Sequence, residues 1–451
     1  MKRILLSVVV AALLSSAPIS AQSADLDQLY RLGEVVVVGT PDDVPDFQIV
    51  KFLPRSGLTV VAVPRGNEWR SIKGLRARGL AAEFNYLATA FANVNDPLRS
   101  FQWHFDNVQA NAAWDLSTGA GVTVAVLDSG LDPSGPDGLG CTVAGFDFAN
   151  NDANPFDGDG HGTHVSGTIG QASNNNVGVA GLAYGCCVMP VKVLDDSGNG
   201  DFADIAEGVF YAVDNGAEVI NMSLGTNARF GVTSIPAMDA ALDYAYANGV
   251  TVVCASGNDG NRKNVSYPAI YPTTIAVGAT GFSNGLVSYS NRGTGIDMVA
   301  PGGDLGADAN GDGYADGVLQ ETTAGTGTFG YYFFQGTSMA SPHVAAAAAM
   351  LIAHGTASTP DDVYEALTQS ATGGGSWNKN TGYGLLQAHS ALTYDPNNGG
   401  GNCTDADGDG FCPEDGDCDD TNPDVYPGAN DTRGRNGRDG IDNDCNGIID
   451  G

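Results

Sequence analysis

The segment Val124-Ala125-Val126-Leu127-Asp128-Ser129-Gly130 is an apolar run that ends at one acidic residue and two small ones. Two later segments also place one polar group where apolar and small residues meet: His161-Gly162-Thr163-His164-Val165 and Gly336-Thr337-Ser338-Met339-Ala340. A fourth segment, Ala255-Ser256-Gly257-Asn258, supplies a side-chain amide of the kind that stabilises an oxyanion. The first three supply the carboxylate, imidazole and hydroxyl that a nucleophilic serine requires.

The chain around these segments alternates between apolar runs and helical patterns from Gly121 onward. Continuous apolar strands between helices predict an α/β fold, with a parallel sheet sandwiched between helices. Sites in such sheets form beyond the carboxyl ends of the strands, and Asp128, Ser223 and Asn258 stand at such ends. The predicted strands are Val122–Leu127, Cys187–Leu194, Val219–Ser223, Val250–Ala255 and Thr273–Ala279, and the predicted helices are His161–Ser173, Asp201–Asn215, Pro236–Asn248, Ser338–His354 and Asp361–Ser370.

The four motifs, in the chain order Asp, His, Ser, resemble those of the subtilase family of serine endopeptidases over about residues 100–394. The resemblance implies hydrolysis of peptide bonds through an acyl-enzyme on Ser338. It assigns His161 as the general base, Asp128 as the residue that orients it, and Asn258 to the oxyanion hole. Imidazole titrates near neutrality, which suits a base, and the resemblance favours the first histidine of His-Gly-Thr-His over His164 and His343.

The resemblance also implies where substrate binds. An extended peptide commonly binds as an added strand, and Ser223, Leu224 and Gly225 resemble one of the two edges that hold it, with 198–202 as the other. Ala255, Ser256 and Gly257 form one wall of the pocket for the residue before the scissile bond, with Ser266 near its floor. These small residues predict a roomy pocket without a charged specificity element.

The charge of the chain excludes some classes of partner. Its 451 residues include 20 basic and 52 acidic residues, for a formal net charge of −32, which argues against nucleic acid and anionic membranes as partners. Most of the acidic residues are aspartates, which favour turns and hard-cation ligation. Calcium chelation and a solvated acidic surface both explain this bias. The partners expected are protein or peptide substrates, and the chain is expected to be a monomer.

The N-terminus has the pattern of a secretory signal. Met1-Lys2-Arg3 precedes a run of eleven residues, 4–14, that is apolar except for Ser7 and too short to span a bilayer, and then a small, polar stretch. Residues 1–23 are therefore predicted to be a signal peptide, and the mature protein to be secreted without a membrane span. Residues 24–97 have the pattern of a small α+β unit that resembles the inhibitory prodomain of the family, although an unrelated binding module is the alternative.

The catalytic domain is predicted at residues 98–396, and a Gly-rich linker at 397–401 leads to a Cys/Asp-rich tail at 402–451. The tail lacks the apolar residues of a core, so it needs disulfides or metal to be ordered. It resembles a metal-binding repeat of secreted bacterial proteins, and carboxylate ligands indicate calcium first. Its predicted ligands are Asp405, Asp407 and Asp409.

A second candidate calcium site lies within the catalytic domain. Asp308, Asn310, Asp312 and Asp316 place oxygen ligands at alternate positions in the manner of the first half of an EF-hand loop. Leu319 stands where that loop would end in glutamate, so a polar surface loop is the alternative. A rival function for the whole chain is a calcium-dependent structural or adhesive exoprotein on an inactive protease scaffold.

The cysteines fit a compartment that permits disulfides. Cys254 ends a predicted core strand and is expected to be a buried thiol, whereas Cys141 can pair with either Cys186 or Cys187. Four more cysteines in the tail allow two bridges in three pairings: Cys403, Cys412, Cys418 and Cys445.

Overall fold

A computed structural model describes residues 30–65, 67–86, 94–323 and 328–395. Contacts within the chain divide it into two compact units, with the division between Ala90 and Phe91, a few residues before the predicted boundary. The predicted signal peptide, linker and tail lie outside the described residues, as do Asp405, Asp407 and Asp409 and the tail cysteines. None of the helices in the described ranges combines the length and the apolar character needed to cross a membrane.

The first unit is a four-stranded antiparallel sheet, in the order β2-β3-β1-β4, with one helix packed on it. Val35 and Val37 of the sheet and Ile72 and Leu75 of the helix are fully buried between them. This composition agrees with the small α+β unit that the sequence predicts here, although the residues of β2 are almost all exposed and show no buried face. The elements are β1 (Tyr30–Val38), β2 (Gln48–Leu53), β3 (Leu58–Ala62), α1 (Glu68–Ala77) and β4 (Ala82–Tyr86).

The second unit is built on a seven-stranded sheet, in the order β11-β10-β9-β8-β5-β7-β6, in which every neighbouring pair is parallel. The prediction of a parallel sheet is confirmed. The strands are β5 (Thr123–Asp128), β6 (Phe146–Asp147), β7 (Cys187–Lys192), β8 (Val219–Met222), β9 (Thr251–Ala255), β10 (Thr274–Thr280) and β11 (Met298–Pro301). A separate antiparallel pair consists of β12 (Val318–Thr322) and β13 (Gly330–Phe334).

Helices cover both faces of this sheet, which is why its strands are apolar throughout. Alternate residues of β5 contribute to two different buried clusters: Val124 and Val126 to one, Ala125 and Leu127 to the other. The helices are α2 (Trp103–Asn107), α3 (Ala110–Ala113), α4 (His161–Gly170), α5 (Phe202–Asp214), α6 (Pro236–Ala247), α7 (Thr337–His354), α8 (Pro360–Gln369) and α9 (Ala388–Leu392). α4 and α7 contribute to the first cluster, and α5 and α6 to the second.

The helix α7 lies at the centre of the unit and carries an uninterrupted run of buried alanines, 345–349. Side chains this small allow the helix backbone to approach its neighbours closely. The sequence predicted this helix within one residue at its start. It missed the short strands β6 and β11 and the pair β12–β13, which lie between glycine-rich segments and have no regular alternation.

The disulfide pairing left open by the sequence is decided by the structure. Cys141 is bonded to Cys187, at the start of β7, whereas Cys186 and Cys254 are buried free thiols. Cys186 and Cys187 are consecutive, so only one of them can face the loop that contains Cys141. The prediction of a buried thiol at Cys254 is confirmed.

We expect the centre of the sheet to tolerate little loss of volume. Val253 of β9 is fully buried, whereas Val143 is 37% exposed. In a Ser338→Ala background, which removes the predicted hydrolysis, Val253→Ala should lower the free energy of unfolding by about 2–3 kcal/mol, from lost transfer energy and a cavity. Val143→Ala is the matched control and should cost under about 0.5 kcal/mol. Equal losses in urea unfolding would contradict this placement of the core.

Candidate active site

The carboxyl ends of three neighbouring strands place the first polar groups together. β5 ends at Asp128, β8 is followed directly by Ser223, and β9 is followed by the segment that contains Asn258. The strands lie side by side in the order β9-β8-β5 and run parallel, so their ends meet at one edge of the sheet. The helices α4 and α7 begin with the segments that contain His161 and Ser338.

Asp128 and His161 are in direct contact. The Nδ1 atom of His161 lies 2.7 Å from Oδ1 of Asp128, which also accepts a 2.7 Å hydrogen bond from the Ser129 N–H. A carboxylate can only accept, so Nδ1 carries the proton, and Nε2 is free to act as an acceptor when the ring is neutral. Asp128 is fully buried, and the imidazole is 27% exposed.

Acidic neighbours govern the protonation of His161. Burial alone would lower its pKa, but the charge and hydrogen bond of Asp128, together with the charges of Asp159 and Asp157, raise the pKa to about 9. The base of this site is therefore more easily protonated than a free imidazole.

The loop before α4 is organised by Asp157, which the sequence analysis did not single out. Its carboxylate is buried and accepts hydrogen bonds from Ser129 Oγ at 2.9 Å, Gly160 N at 2.8 Å, and Thr163 N and Oγ1 at 2.8 and 2.7 Å. Ser129 Oγ in turn accepts from Gly162 N at 2.9 Å. This network fixes the start of α4 against the end of β5. The sequence signal was present, as an Asp and Gly stretch directly before the His-Gly-Thr-His motif.

Ser338 is the second residue of α7, and its Oγ donates a 3.3 Å hydrogen bond to the carbonyl oxygen of Ser223. Pro342, four residues later, has no N–H to give to the carbonyl of Ser338. Ser223 Oγ donates to that carbonyl instead, at 2.8 Å. The proline, which would disrupt most helices, is therefore accommodated by a side chain from the end of β8.

Asn258 is held by the start of the same helix. Its Oδ1 accepts from the N–H of Thr337 at 2.9 Å and from the Thr337 hydroxyl at 3.0 Å. The backbone N–H can only donate, so the amide oxygen must face Thr337. This leaves the Nδ2 donors of Asn258 available beside Ser338. Thr337 thus orients the amide, a role that the sequence did not indicate.

Two pockets adjoin these groups and share Ser223, Leu224 and Gly225. The His161 pocket is also lined by Asp159, Leu194 and Phe202, and by Gly198, Asn199 and Gly200. The Ser338 pocket is also lined by Ala255, Gly257, Asn258, Asp259, Ser266 and Thr337. The predicted substrate-binding residues therefore line one or both pockets, with one exception.

The exception is Ser256, for which the prediction was wrong. It is fully buried, and its Oγ donates to the carbonyl oxygen of Asn291 at 3.2 Å. Its backbone N–H donates to the carbonyl oxygen of Val277 at 2.9 Å, so the pairing of β9 with β10 extends to this residue. Successive residues of an extended segment point to opposite sides, so the side chain between Ala255 and Gly257 points away from the pocket.

The other three buried histidines, His104, His164 and His343, line neither of the two pockets. Burial lowers the pKa of His164 to about 3 and that of His343 to about 4, and it holds the pKa of His104 well below the usual range. His343 Nδ1 donates to Met339 O at 2.8 Å, and its Nε2 lies 2.8 Å from His104 Nδ1. His164 Nε2 bonds to the carbonyl oxygen of Val318 at 3.1 Å. These neutral rings pack the core, which supports their interpretation as structural.

The predicted calcium loop is a series of turns in which side chains cap backbone N–H groups. Asp308 accepts from Gly313 N at 3.2 Å, Asp312 from Tyr314 N at 2.8 Å, and Asp316 from Ala309 N at 2.7 Å. Over the described ranges, no three His, Cys, Asp or Glu side chains converge as a metal site would require. One observation nevertheless fits a cation. Asp316 is 2% exposed, and its Oδ1 has no hydrogen-bond partner among the residues that the structure describes.

Comparison with known proteins agrees with this geometry. Residues 119–384 match the sequence model described as "Subtilase family", and residues 417–451 match one described as "Putative metal-binding motif", whose name refers to copper. The thermophilic serine proteinase of Bacillus sp. strain AK1 is 37% identical over 358 residues, which are 78% of this chain and 81% of the relative. Thermitase of Thermoactinomyces vulgaris is 37% identical over 303 residues, 66% of this chain and 99% of the relative.

A solved structure of a protease from Pseudoalteromonas arctica is also similar. It is 34% identical in sequence and gives a TM-score of 0.61, covering 67% of this chain and 99% of that one. The fold is thus subtilisin-like, as the sequence predicted, and the residues that match the subtilase model include the seven-stranded sheet, helices α4–α8 and all four motif segments. The chain belongs to the subtilase family of serine endopeptidases.

Proposed function

We propose that this chain cleaves peptide bonds through an acyl-enzyme on Ser338, with His161 as general base, Asp128 orienting it and Asn258 in the oxyanion hole. The observation that supports this most strongly is the 2.7 Å contact between His161 and Asp128 at the sheet edge where α7 presents Ser338. The contact leaves Nε2 of His161 available to accept the serine proton.

The first step is the attack of Ser338 Oγ on the substrate carbonyl carbon. The hydroxyl turns away from Ser223 O as its proton passes to His161 Nε2, and Asp128 stabilises the imidazolium that forms. Nucleophile and base often meet in this way only when substrate is bound. The proton then passes to the departing amine, and water releases the acyl group by the same base.

Negative charge on the carbonyl oxygen is stabilised by groups that are already in place. Asn258 Nδ2 is free to donate because Thr337 holds the amide oxygen, and the N–H of Ser338 lies in the first turn of α7. Both donors are fixed before the reaction begins, so little reorganisation opposes the transition state.

Export, maturation, oligomeric state and metal content of the chain are also part of this proposal. We infer that the chain is exported by its N-terminal signal, that the unit formed by β1–β4 and α1 is an inhibitory prodomain, and that the mature enzyme acts as a monomer on extracellular proteins. We further infer that calcium is a structural cofactor held by the tail and by the loop of Asp308, Asn310, Asp312 and Asp316. The unpartnered buried oxygen of Asp316 and the tail motif support the metal.

The nucleophile can be tested by covalent labelling. A fluorophosphonate probe should modify Ser338 in the processed protein, because only this hydroxyl is expected to have a base and an oxyanion hole. Ser338→Ala should abolish labelling and proteolysis and leave the precursor unprocessed, whereas the exposed control Ser376→Ala should behave as wild type. Peptide mapping that finds no adduct on Ser338 would refute the mechanism.

The pH dependence follows from the raised pKa of His161. Turnover needs the neutral ring. The kcat/KM for a small peptide should therefore rise with pH, with a midpoint between 6.5 and about 9. Asp159→Asn removes one of the charges responsible and should move the midpoint to lower pH. Asp195→Asn, on a neighbouring exposed turn, is the control.

The raised pKa of His161 also affects the stability of the fold, but with the opposite pH dependence to that of activity. A pKa raised by folding contributes stability that is full below the unfolded value near 6.5 and is lost as pH rises through about 9. In Ser338→Ala protein, this contribution of the Asp128–His161 pair should therefore decline over the window in which wild-type activity increases. An activity midpoint at or below 6.5 would contradict the charge environment of His161.

Calcium binding can be divided between the two candidate sites. In Ser338→Ala protein, which cannot digest itself, calcium titration should report sites in the full chain and a smaller number after removal of residues 402–451. Chelation should lower the thermal midpoint, since a ligand of the folded state stabilises it. The double substitution Asp308→Asn and Asp312→Asn should remove the remaining binding, and Asp152→Asn, another exposed turn carboxylate, should not. A truncated protein that binds no calcium, or a full chain that binds only copper, would contradict the proposal.

A further inference from the structure

Each of the two pockets beside the reacting groups contains one carboxylate. Asp159 lines the His161 pocket, and Asp259 lines the Ser338 pocket. Among the described residues that line either pocket there is no lysine or arginine. The small residues of the motif segments predict a pocket without a charged specificity element. Asp259 escaped notice because sequence alone does not show that the chain turns after Asn258 and brings the next residue back to the pocket.

Neutral donors hold Asp259 in place. Its carboxylate accepts from Asn227 Nδ2, from Ala228 N at 3.2 Å and from Asn291 Nδ2 at 3.3 Å. Amide donors fix the position of an anion without cancelling its charge. The residue is exposed, and it follows directly after the amide that is proposed to bind the oxyanion. A negative charge is thus held at a fixed place in the Ser338 pocket.

Asp159 is fixed in a similar way in the other pocket. Its Oδ1 accepts from the backbone N–H of His161 at 3.1 Å, and the residue is partly exposed. One candidate counter-ion is Lys192, at the end of β7. That ammonium group is buried and donates to Asp196 and to the carbonyl oxygen of Ser129, both at 2.7 Å. Lys192 therefore makes these hydrogen bonds to groups other than Asp159.

Arg229 does not form an ion pair with Asp259. Arg229 lies close in sequence to Asn227, but its guanidinium group stacks over the ring of Phe230, 4.8 Å from its centroid. In the part of the chain that the structure describes, neither Asp159 nor Asp259 takes part in an ion pair with lysine or arginine. Both charges are available to a ligand.

We propose that these two carboxylates select substrates with basic side chains around the scissile bond. Asp259 pairs with a lysine or arginine at the residue whose carbonyl Ser338 attacks, and Asp159 with a basic residue immediately before it. This specificity rests on the proposed hydrolytic function. The net charge of −32 acts in the same direction, since it attracts basic peptides toward the site.

The effect should be moderate, because both carboxylates are accessible to water and salt. A charge-assisted contact in a pocket partly closed by substrate should favour lysine over an apolar side chain of equal length by about two- to tenfold in kcat/KM. The preference should decrease as sodium chloride is added, whereas a preference based on apolar burial would not.

The test uses the processed full chain and paired peptides that differ in one side chain, lysine against norleucine, at each of the two positions. Asp259→Asn should abolish the lysine preference at the attacked residue and leave the preceding position unchanged. Asp159→Asn should do the reverse. Ratios measured at one pH cancel any change in the ionisation of His161. Asp259→Glu, which retains the charge, should retain the preference, and Asp152→Asn is a remote control.

Titration with the fluorophosphonate probe counts the protein molecules that have a reactive serine, so that rates can be expressed per active site. Every outcome then either supports or overturns the proposal. Protein that labels Ser338 and cleaves norleucine peptides at least as well as lysine peptides overturns the specificity alone. A lysine preference that survives at the attacked residue in Asp259→Asn, or at the preceding residue in Asp159→Asn, also overturns it. Protein that neither labels nor cleaves any of the peptides overturns the hydrolytic function itself.

Discussion

The buried carboxylate of Asp157 is the constraint on which the rest of the site depends. An anion without a counter-ion can be buried only if enough donors surround it, and here the donors come from the backbone and hydroxyls of the loop itself. These bonds tie the end of β5 to the start of α4, which brings Asp128 and His161 to 2.7 Å. The approach is so close that a Cβ at Gly162 would collide with the carbonyl oxygen of Gly130.

The other half of the site is assembled by the same means, with neutral donors and acceptors. Ser223 Oγ compensates the carbonyl that Pro342 leaves without a donor, and Thr337 orients the amide of Asn258. Neither arrangement relies on an ion pair. The geometry around Ser338 should therefore depend little on ionic strength, whereas salt screens the charges that raise the pKa of His161 and the attraction of the pocket carboxylates for cations.

Neutral donors also explain how a chain with so few cations holds so many carboxylates. Tyrosine hydroxyls donate to Asp214, Asp361 and Asp243 at 2.7–2.9 Å, where other proteins would often use lysine or arginine. Such bonds position an aspartate and leave its charge in place. Burial and the hydrogen bond to Asp243 raise the pKa of Tyr271 to about 12. The acidity of the surface is thus retained in the folded protein, including at the two pockets.

The sequence alone determined the class of fold, most elements of the parallel sheet and the four motif segments, because strand burial on both faces and the Asp, His and Ser surroundings are local patterns. It could not show Asp157 or Thr337 as organising residues, since their partners are decided by how loops return to the sheet edge. It placed Ser256 in the pocket, where strand geometry turns it inward instead. The partner of Cys141 and the charge that Asp259 brings to the Ser338 pocket were likewise decided only by tertiary structure. Each depends on the direction in which a side chain leaves a turn, and that direction is fixed by contacts far away in the chain.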